Sequence, residues 1–224
     1  MPISSSYLFK AVLWDMDGTL VNTEVHWLAS EEKLMEEVGY VWTEADQRHC
    51  LGGPLTRVGE YMFKKSGNQH SPTYYVDELI RRTTEAFETG IELMPGVRER
   101  LLELSDANVP MALVTASPRI MANKVVESLE KNFFRAVVSA DDVSVPKPDP
   151  EGYILAARLL GVDVSQALIF EDSNTGVRAA RASGASVVAI RHLNSFDSHP
   201  RTVEIDSMVS ISGKELNSLY IESC

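Results

Sequence analysis

Ala11-Val12-Leu13-Trp14-Asp15-Met16-Asp17-Gly18-Thr19 is the stretch on which the reading of this chain turns. Continuous rather than alternating hydrophobicity over Ala11 to Trp14 predicts a strand covered on both faces, as in a parallel sheet. Two carboxylates and a glycine directly after such a strand deliver charge to the carboxyl edge of the sheet. Open α/β sheets place their ligands at that edge. Two aspartates one residue apart can divide the labour of a covalent reaction, one attacking as a nucleophile and the other moving protons. Alone the pair is a weak signal, and its weight comes from what surrounds it.

Further short apolar runs follow at Met111 to Val114, Ala136 to Val138, Ala167 to Phe170 and Val187 to Ile190. Helical patterns separate them over Val97 to Leu104, Ile120 to Leu129 and Tyr153 to Leu160. In the first of these, Val97, Leu101, Leu102 and Leu104 fall toward one side. This alternation predicts an α/β fold with a doubly wound, Rossmann-like parallel sheet. Ser207 to Ile211 reads as an edge strand, followed by a short helix from Lys214 to Tyr220. Residues 22–90 differ: Glu, Lys, Met and aromatics recur at helical spacing, punctuated by Gly39, Gly52-Gly53, Gly67 and Pro72. A connection that long is usually functional or has structure of its own, and an inserted helical cap is the simplest account. The expected division is therefore an α/β core over residues 1–21 and 91–224, with an inserted α-helical cap at 22–90.

Composition narrows the function. The 224 residues are 44% hydrophobic, enough for a sizeable core. Thirty-two acidic against 21 basic residues give a net charge of −11, which argues against nucleic acid or an anionic membrane as partner. An anionic substrate then needs a local correction by a cation or a lysine. Cys50 and Cys224 cannot build a disulfide framework, and the N-terminal Met1 to Ser6 lacks the layout of a signal peptide. The expectation is a cytoplasmic monomer without a membrane span. The five histidines show no metal-ligand spacing.

Three more signals stand at strand ends. Thr115, followed by Ala116-Ser117-Pro118, offers a hydroxyl and free N–H groups before a helix, which can bind an anion. The plain alternative is a helix cap at Ser117-Pro118. Lys147 lies between Pro146 and Pro148, on a stiff loop from which it can be aimed at a phosphate; a solvated loop lysine is the bland reading. Glu171-Asp172 ends the run Ala167 to Phe170 and offers hard oxygens to Mg²⁺, or caps the helix beginning near Thr175 together with Ser173.

In this order, Asp-x-Asp, Thr, Lys and Glu-Asp resemble the four loops of the haloacid dehalogenase superfamily. The strings Trp14 to Val21 and Phe170 to Gly176 carry the likeness most specifically, and it extends over essentially the whole chain. The insertion resembles the cap of the β-phosphoglucomutase-like phosphatases. The resemblance implies that Asp15 attacks phosphorus and becomes an aspartyl phosphate. It implies that Asp17 protonates the leaving alkoxide and later takes a proton from water. Mg²⁺ is then held by the Asp15 carboxylate, the Asp17 backbone carbonyl and Asp172, with Glu171 either a further ligand or a support behind them. Thr115 and the Ala116 N–H bind phosphoryl oxygens, and Lys147 neutralises charge. Dehalogenases of the superfamily lack the second aspartate, so Asp17 implies phosphoryl transfer. A Schiff base on Lys33, Lys64 or Lys65, as in phosphonatase-like members, is disfavoured because all three lie in charged helical patterns.

The Asn22 to Trp27 run and Thr115-Ala116-Ser117-Pro118-Arg119 look like sugar-phosphate phosphatases, which makes a small phosphorylated metabolite the expected substrate. Asn22 departs from the acidic residue usual at that position. Leu51 to Arg57 matches the cap's substrate-selecting loop, with Gly52 allowing close approach and Arg57 either contacting substrate or standing as a surface arginine. Two other readings stay open. A phosphomutase needs a second anion site, for which Arg57 and Arg119 are the candidates. A non-catalytic binding module of the same fold would lack a nucleophile, lysine or metal carboxylate, and none is lacking.

Overall fold

The computed structural model describes residues 7–50, 54–191, 195–213 and 215–220. In chain order the elements are β1 (Ala11–Trp14), then helices α1 (Glu24–Glu36), α2 (Glu44–Cys50), α3 (Leu55–Lys65) and α4 (Pro72–Ala86). They continue with α5 (Val97–Asp106), β2 (Met111–Val114), α6 (Arg119–Ser128), β3 (Ala136–Val138), α7 (Glu151–Leu160) and β4 (Ala167–Glu171). The last are α8 (Asn174–Ala182), β5 (Ser186–Ile190), β6 (Thr202–Ile205) and α9 (Leu216–Leu219). Two compact units result: α1 to α4 belong to the unit Thr23–Ile91, and every strand to the other.

The α/β unit is built on a six-stranded parallel sheet in the order β3-β2-β1-β4-β5-β6. Every residue of β1, β2, β4 and β5 is buried, which is why their runs carry no polar alternation. Leu13, Val114, Ile169 and Val187 pack against Tyr153 and Ala156 of α7 and Ala179 and Ala180 of α8. Leu13 stands beside Ala112 of β2 and Ile169 of β4 in register. The strand order reverses direction at β1, so the ends of β1, β2 and β4 open onto the crevice where such sheets take ligands.

Two expectations for the C-terminal part are corrected. Residues 207–211 are not an edge strand: Met208–Ser210 is a 3-10 turn, closed by Ser207 Oγ accepting from the Val209 N–H. The sixth strand lies earlier, at Thr202–Ile205, paired parallel to β5 and partly exposed along its length. Its β-branched Thr-Val-Glu-Ile pattern was the available signal. The final helix covers only Leu216–Leu219, and Lys214 lies outside the described residues. In α5, Val97, Leu101 and Leu104 are buried as expected, whereas Leu102 is half-exposed.

The helical unit has its own core, in which Leu34 and Met35 of α1, Met62 of α3, and Tyr75 and Leu79 of α4 come together with Trp42. Trp27 packs against that cluster. Ser71 caps α4 by accepting from the Tyr74 N–H, with Pro72 at the first helical position. Among the described residues no helix is long and apolar enough to cross a membrane.

Candidate active site

The loop after β1 turns back on itself at once. Leu20 and Val21 donate their N–H groups to Met16 O at 2.9 and 3.0 Å, and Gly18 N–H donates to Val21 O. Gly18 has φ +80°, and any Cβ there would collide with the Asp172 carboxylate. Glycine therefore serves both the turn and the approach of a second carboxylate. Asp15 is buried at the sheet edge and Asp17 half-buried two residues on.

Lys147 reaches this point from the loop after β3. Its Nζ donates to Asp15 Oδ1 at 2.5 Å, to Glu171 Oε1 at 2.7 Å and to the Val114 carbonyl at 3.2 Å. It also lies 4.9 Å from the centre of the Tyr153 ring. The side chain is 9% exposed, so this is an aimed ammonium and not a solvated loop lysine. Burial alone would lower its pKa, but the Asp15 and Glu171 charges outweigh that and hold it well above the ordinary lysine value.

Glu171 is wholly buried at the end of β4. Oε1 accepts from Lys147 and, at 3.0 Å, from the Tyr153 hydroxyl; Oε2 accepts from the Ser173 N–H at 2.9 Å and its hydroxyl at 3.1 Å. Gly176 makes room for this carboxylate, since any Cβ at 176 would overlap it. Asp172 accepts from the Thr19 hydroxyl at 2.9 Å. The helix that follows is capped by Ser173, whose Oγ accepts from the Gly176 N–H at 3.0 Å.

Thr115 and Ser117 stand at the end of β2. Thr115 Oγ1 donates to Asp17 Oδ2 at 3.2 Å and accepts from the Ser117 N–H at 2.9 Å. Ser117 does not cap α6, which starts after Pro118 and whose first N–H, that of Arg119, donates to Asp141 Oδ2 at 2.7 Å. Its hydroxyl instead donates to Asp17 Oδ2 at 2.8 Å. Ala116 between them is exposed. The structure thus brings Asp15, Asp17, Thr115, Ala116, Lys147, Glu171 and Asp172 onto the carboxyl edge of one sheet. Thr19 and Tyr153 join them without having been singled out from sequence, and so does Ser117, which the sequence offered only as a helix cap. The only hint for Tyr153 was a phenol opening an otherwise apolar helix face.

Asp15, Glu171 and Asp172 each offer a carboxylate oxygen, all within 4.8 Å of one another. Three negative charges there meet the single positive charge of Lys147. Burial, joined by the Glu171 charge and opposed by Lys147, raises the Asp15 pKa above its ordinary value. A hard divalent cation fits this donor set and its charge deficit. Glu171 has protein donors on both oxygens, so Asp15 and Asp172 are the better placed ligands.

The residues in the helical unit have other engagements. Arg57 donates to the carbonyls of His49 and Cys50 at 2.9 and 3.5 Å, closing the end of α2. Gly52 lies outside the described residues, as do Cys224 and His192. Lys65 pairs with Asp46 at 3.1 Å. Cys50 is buried and burial pushes its thiol up to about 12, which makes it unreactive. In the α/β unit, Arg119 donates to the Val137 carbonyl at 3.0 Å and pairs with Asp142.

Residues 12–190 match the family model described as haloacid dehalogenase-like hydrolase. Among curated proteins, the chain is 32% identical over 191 residues to validoxylamine A 7'-phosphate phosphatase of Streptomyces hygroscopicus subsp. limoneus, covering 82% of this chain and 86% of that one. It is 30% identical over 194 residues to fructose-1-phosphate phosphatase YqaB of Escherichia coli K12, covering 83% and 98%. Among solved structures, β-phosphoglucomutase from Clostridium difficile superposes with a TM-score of 0.80 over 95% of this chain and 97% of that one, at 18% identity, a likeness of fold.

Proposed function

The chain belongs to the haloacid dehalogenase-like hydrolases, and from that premise we propose that it is a Mg²⁺-dependent phosphatase of a small sugar phosphate, working through a phosphorylated Asp15. The observation that carries this reading is the 2.5 Å contact of Lys147 with Asp15, with Asp17 two residues on. An ammonium held on a buried carboxylate by a second carboxylate is fixed before substrate arrives, and preorganised charge is often the largest catalytic contribution.

Asp15 attacks the phosphorus, forming an acyl phosphate as the bond to the sugar oxygen breaks. Asp17 gives its proton to that departing oxygen. A water then attacks the same phosphorus, Asp17 takes the water's proton, and Asp15 is released with inorganic phosphate. Lys147 offsets the charge that gathers on Asp15 and the phosphoryl oxygens, while Thr115 and the Ala116 N–H orient those oxygens. Glu171 holds Lys147 in place. Mg²⁺, bound through Asp15, the Asp17 carbonyl and Asp172, would supply Lewis-acid stabilisation of phosphoryl charge.

A phosphomutase needs a second grip for a bisphosphate. Arg57 closes a helix end and Arg119 is committed to a carbonyl and to Asp142, which favours hydrolysis over phosphoryl return. The test is phosphate release from a panel of phosphorylated sugars, nucleotides and phosphoglycolate with Mg²⁺, with β-glucose 1-phosphate assayed beside a bisphosphate primer. One phosphate per hexose phosphate consumed is the expected result. Glucose 6-phosphate without free phosphate would make the protein a mutase, and no turnover on any member would remove the catalytic reading.

A further inference from the structure

Ser117 sits where local rules place a helix cap, yet its hydroxyl is not spent on the helix. The residue is 7% exposed, and each of its polar groups is engaged. Its N–H donates to Thr115 Oγ1 at 2.9 Å, its carbonyl accepts from the Ala140 N–H at 3.1 Å, and its Oγ donates to Asp17 Oδ2 at 2.8 Å. Thr115 Oγ1 accepts from Ser117, so its own proton is directed to the same Asp17 oxygen, at 3.2 Å. Two hydroxyls, on residues tied by the Ser117 N–H to Thr115 Oγ1 bond, thus converge on one carboxylate oxygen across 98 and 100 residues of chain. Pro118 behind Ser117 and the Ala140 contact fix the backbone that carries them.

We propose that Ser117 is a positioning residue for Asp17: it holds the acid-base carboxylate in the orientation from which it serves the leaving oxygen, and keeps that hold when the single Thr115 proton turns to a phosphoryl oxygen. This rests on the phosphatase reading above. Asp17 is only half-buried on a tight loop, and a carboxylate there has rotamer freedom that a second donor removes. Ser117 acts through Asp17, so its contribution scales with how much the leaving group needs a proton. A sugar alkoxide is a poor leaving group and needs one; p-nitrophenolate departs without help.

The experiment compares kcat/KM, which reports the first phosphoryl transfer, for Ser117→Ala and Ser117→Thr on two substrates. One is the hexose phosphate turned over fastest in the panel, and the other is p-nitrophenyl phosphate, with folding checked by thermal melting. Ser117→Ala is expected to lose about 10- to 100-fold on the hexose phosphate, part of what an acid catalyst contributes. It is expected to change little on p-nitrophenyl phosphate, and Ser117→Thr, which keeps the hydroxyl, should recover most of the loss. Equal losses on both substrates would mean that Ser117 binds phosphate or supports the fold, and would overturn the proposal. Wild-type rates in Ser117→Ala, or a threonine variant as poor as alanine, would overturn it too. A wild-type enzyme inactive on both substrates would instead defeat the phosphatase reading.

Discussion

Asp46 and Asp15 are both buried carboxylates that meet a lysine, and their surroundings treat them in opposite ways. Asp46, in α2 of the helical unit, has every oxygen saturated. Tyr61 donates at 2.7 Å, Thr43 donates through its N–H at 2.9 Å and its hydroxyl at 2.5 Å, Tyr40 bridges both oxygens, and Lys65 stands at 3.1 Å. Those bonds overcome the cost of burial and hold the carboxyl well below the usual range. Asp15 has Lys147 on Oδ1 and, among the described residues, no protein donor on Oδ2. It also shares its site with Glu171 and Asp172. Burial and those charges push it the other way, to a raised pKa. A satisfied buried carboxylate serves the fold, whereas one left short of donors and of positive charge is held ready for something that arrives.

The largest effect that separates the two is on turnover. Asp15→Asn is expected to lower kcat by about 10⁴-fold or more while the protein stays folded, because the proposed nucleophile goes and the volume does not. Asp46→Asn should leave kcat within a few-fold of wild type. Appreciable turnover by Asp15→Asn, measured as phosphate release, would break the comparison on its functional side. Chelation of divalent metal should likewise silence turnover and added Mg²⁺ restore it. In Asp172→Ala the Mg²⁺ needed for half-maximal rate should rise about tenfold or more. An unchanged Mg²⁺ requirement would move the metal away from this carboxylate.

Stability should rank the same pair in reverse. Asp46→Asn leaves the Lys65 ammonium facing a neutral amide and turns acceptors into donors, at a cost of about 3 kcal/mol. Asp15→Asn in chelator removes one of three crowded negative charges and should gain about 1 kcal/mol, as is common where activity demands strain. Melting curves of both variants in chelator check this. A more stable Asp46→Asn would show that its hydrogen bonds do less than their geometry implies.

How much of this was legible in sequence follows from range. The fully buried strands announce themselves through unbroken apolar runs, and the carboxylates after β1 and β4 follow directly from where those runs end. The edge strand Thr202–Ile205 did not, because half-exposed strands need no apolar run. Ser117 carried a misleading local signal: Ser-Pro before a helix reads as a cap, while its partner Asp17 lies 100 residues away. Asp46 and Glu31 were hidden for a similar reason. In a helical pattern rich in charge, an acidic residue is read as solvated, and only packing shows that these two are 2% and 7% exposed.

Glu31 supplies the finest test, since it lies in the helical unit with Asp46 yet resembles Asp15 in being underserved. The Trp42 indole N–H donates to its Oε2 at 3.0 Å, and burial outweighs that bond to raise its pKa to about 7, with Glu24 and Glu32 adding to the rise. A carboxyl whose folded pKa lies above its ordinary value of 4.5 binds its proton more tightly when folded. Its stabilising contribution is therefore present below about pH 4.5 and is lost as pH rises through about 7. Above that range the ionised group costs up to about 3 kcal/mol. Glu31→Gln keeps an acceptor for Trp42 and cannot ionise. It should match wild type near pH 4 and be more stable at pH 8, so the gap between the two unfolding curves should widen with pH. Parallel curves from pH 4 to 8 would mean that Glu31 is as well served as Asp46, and that donors in this unit follow burial alone.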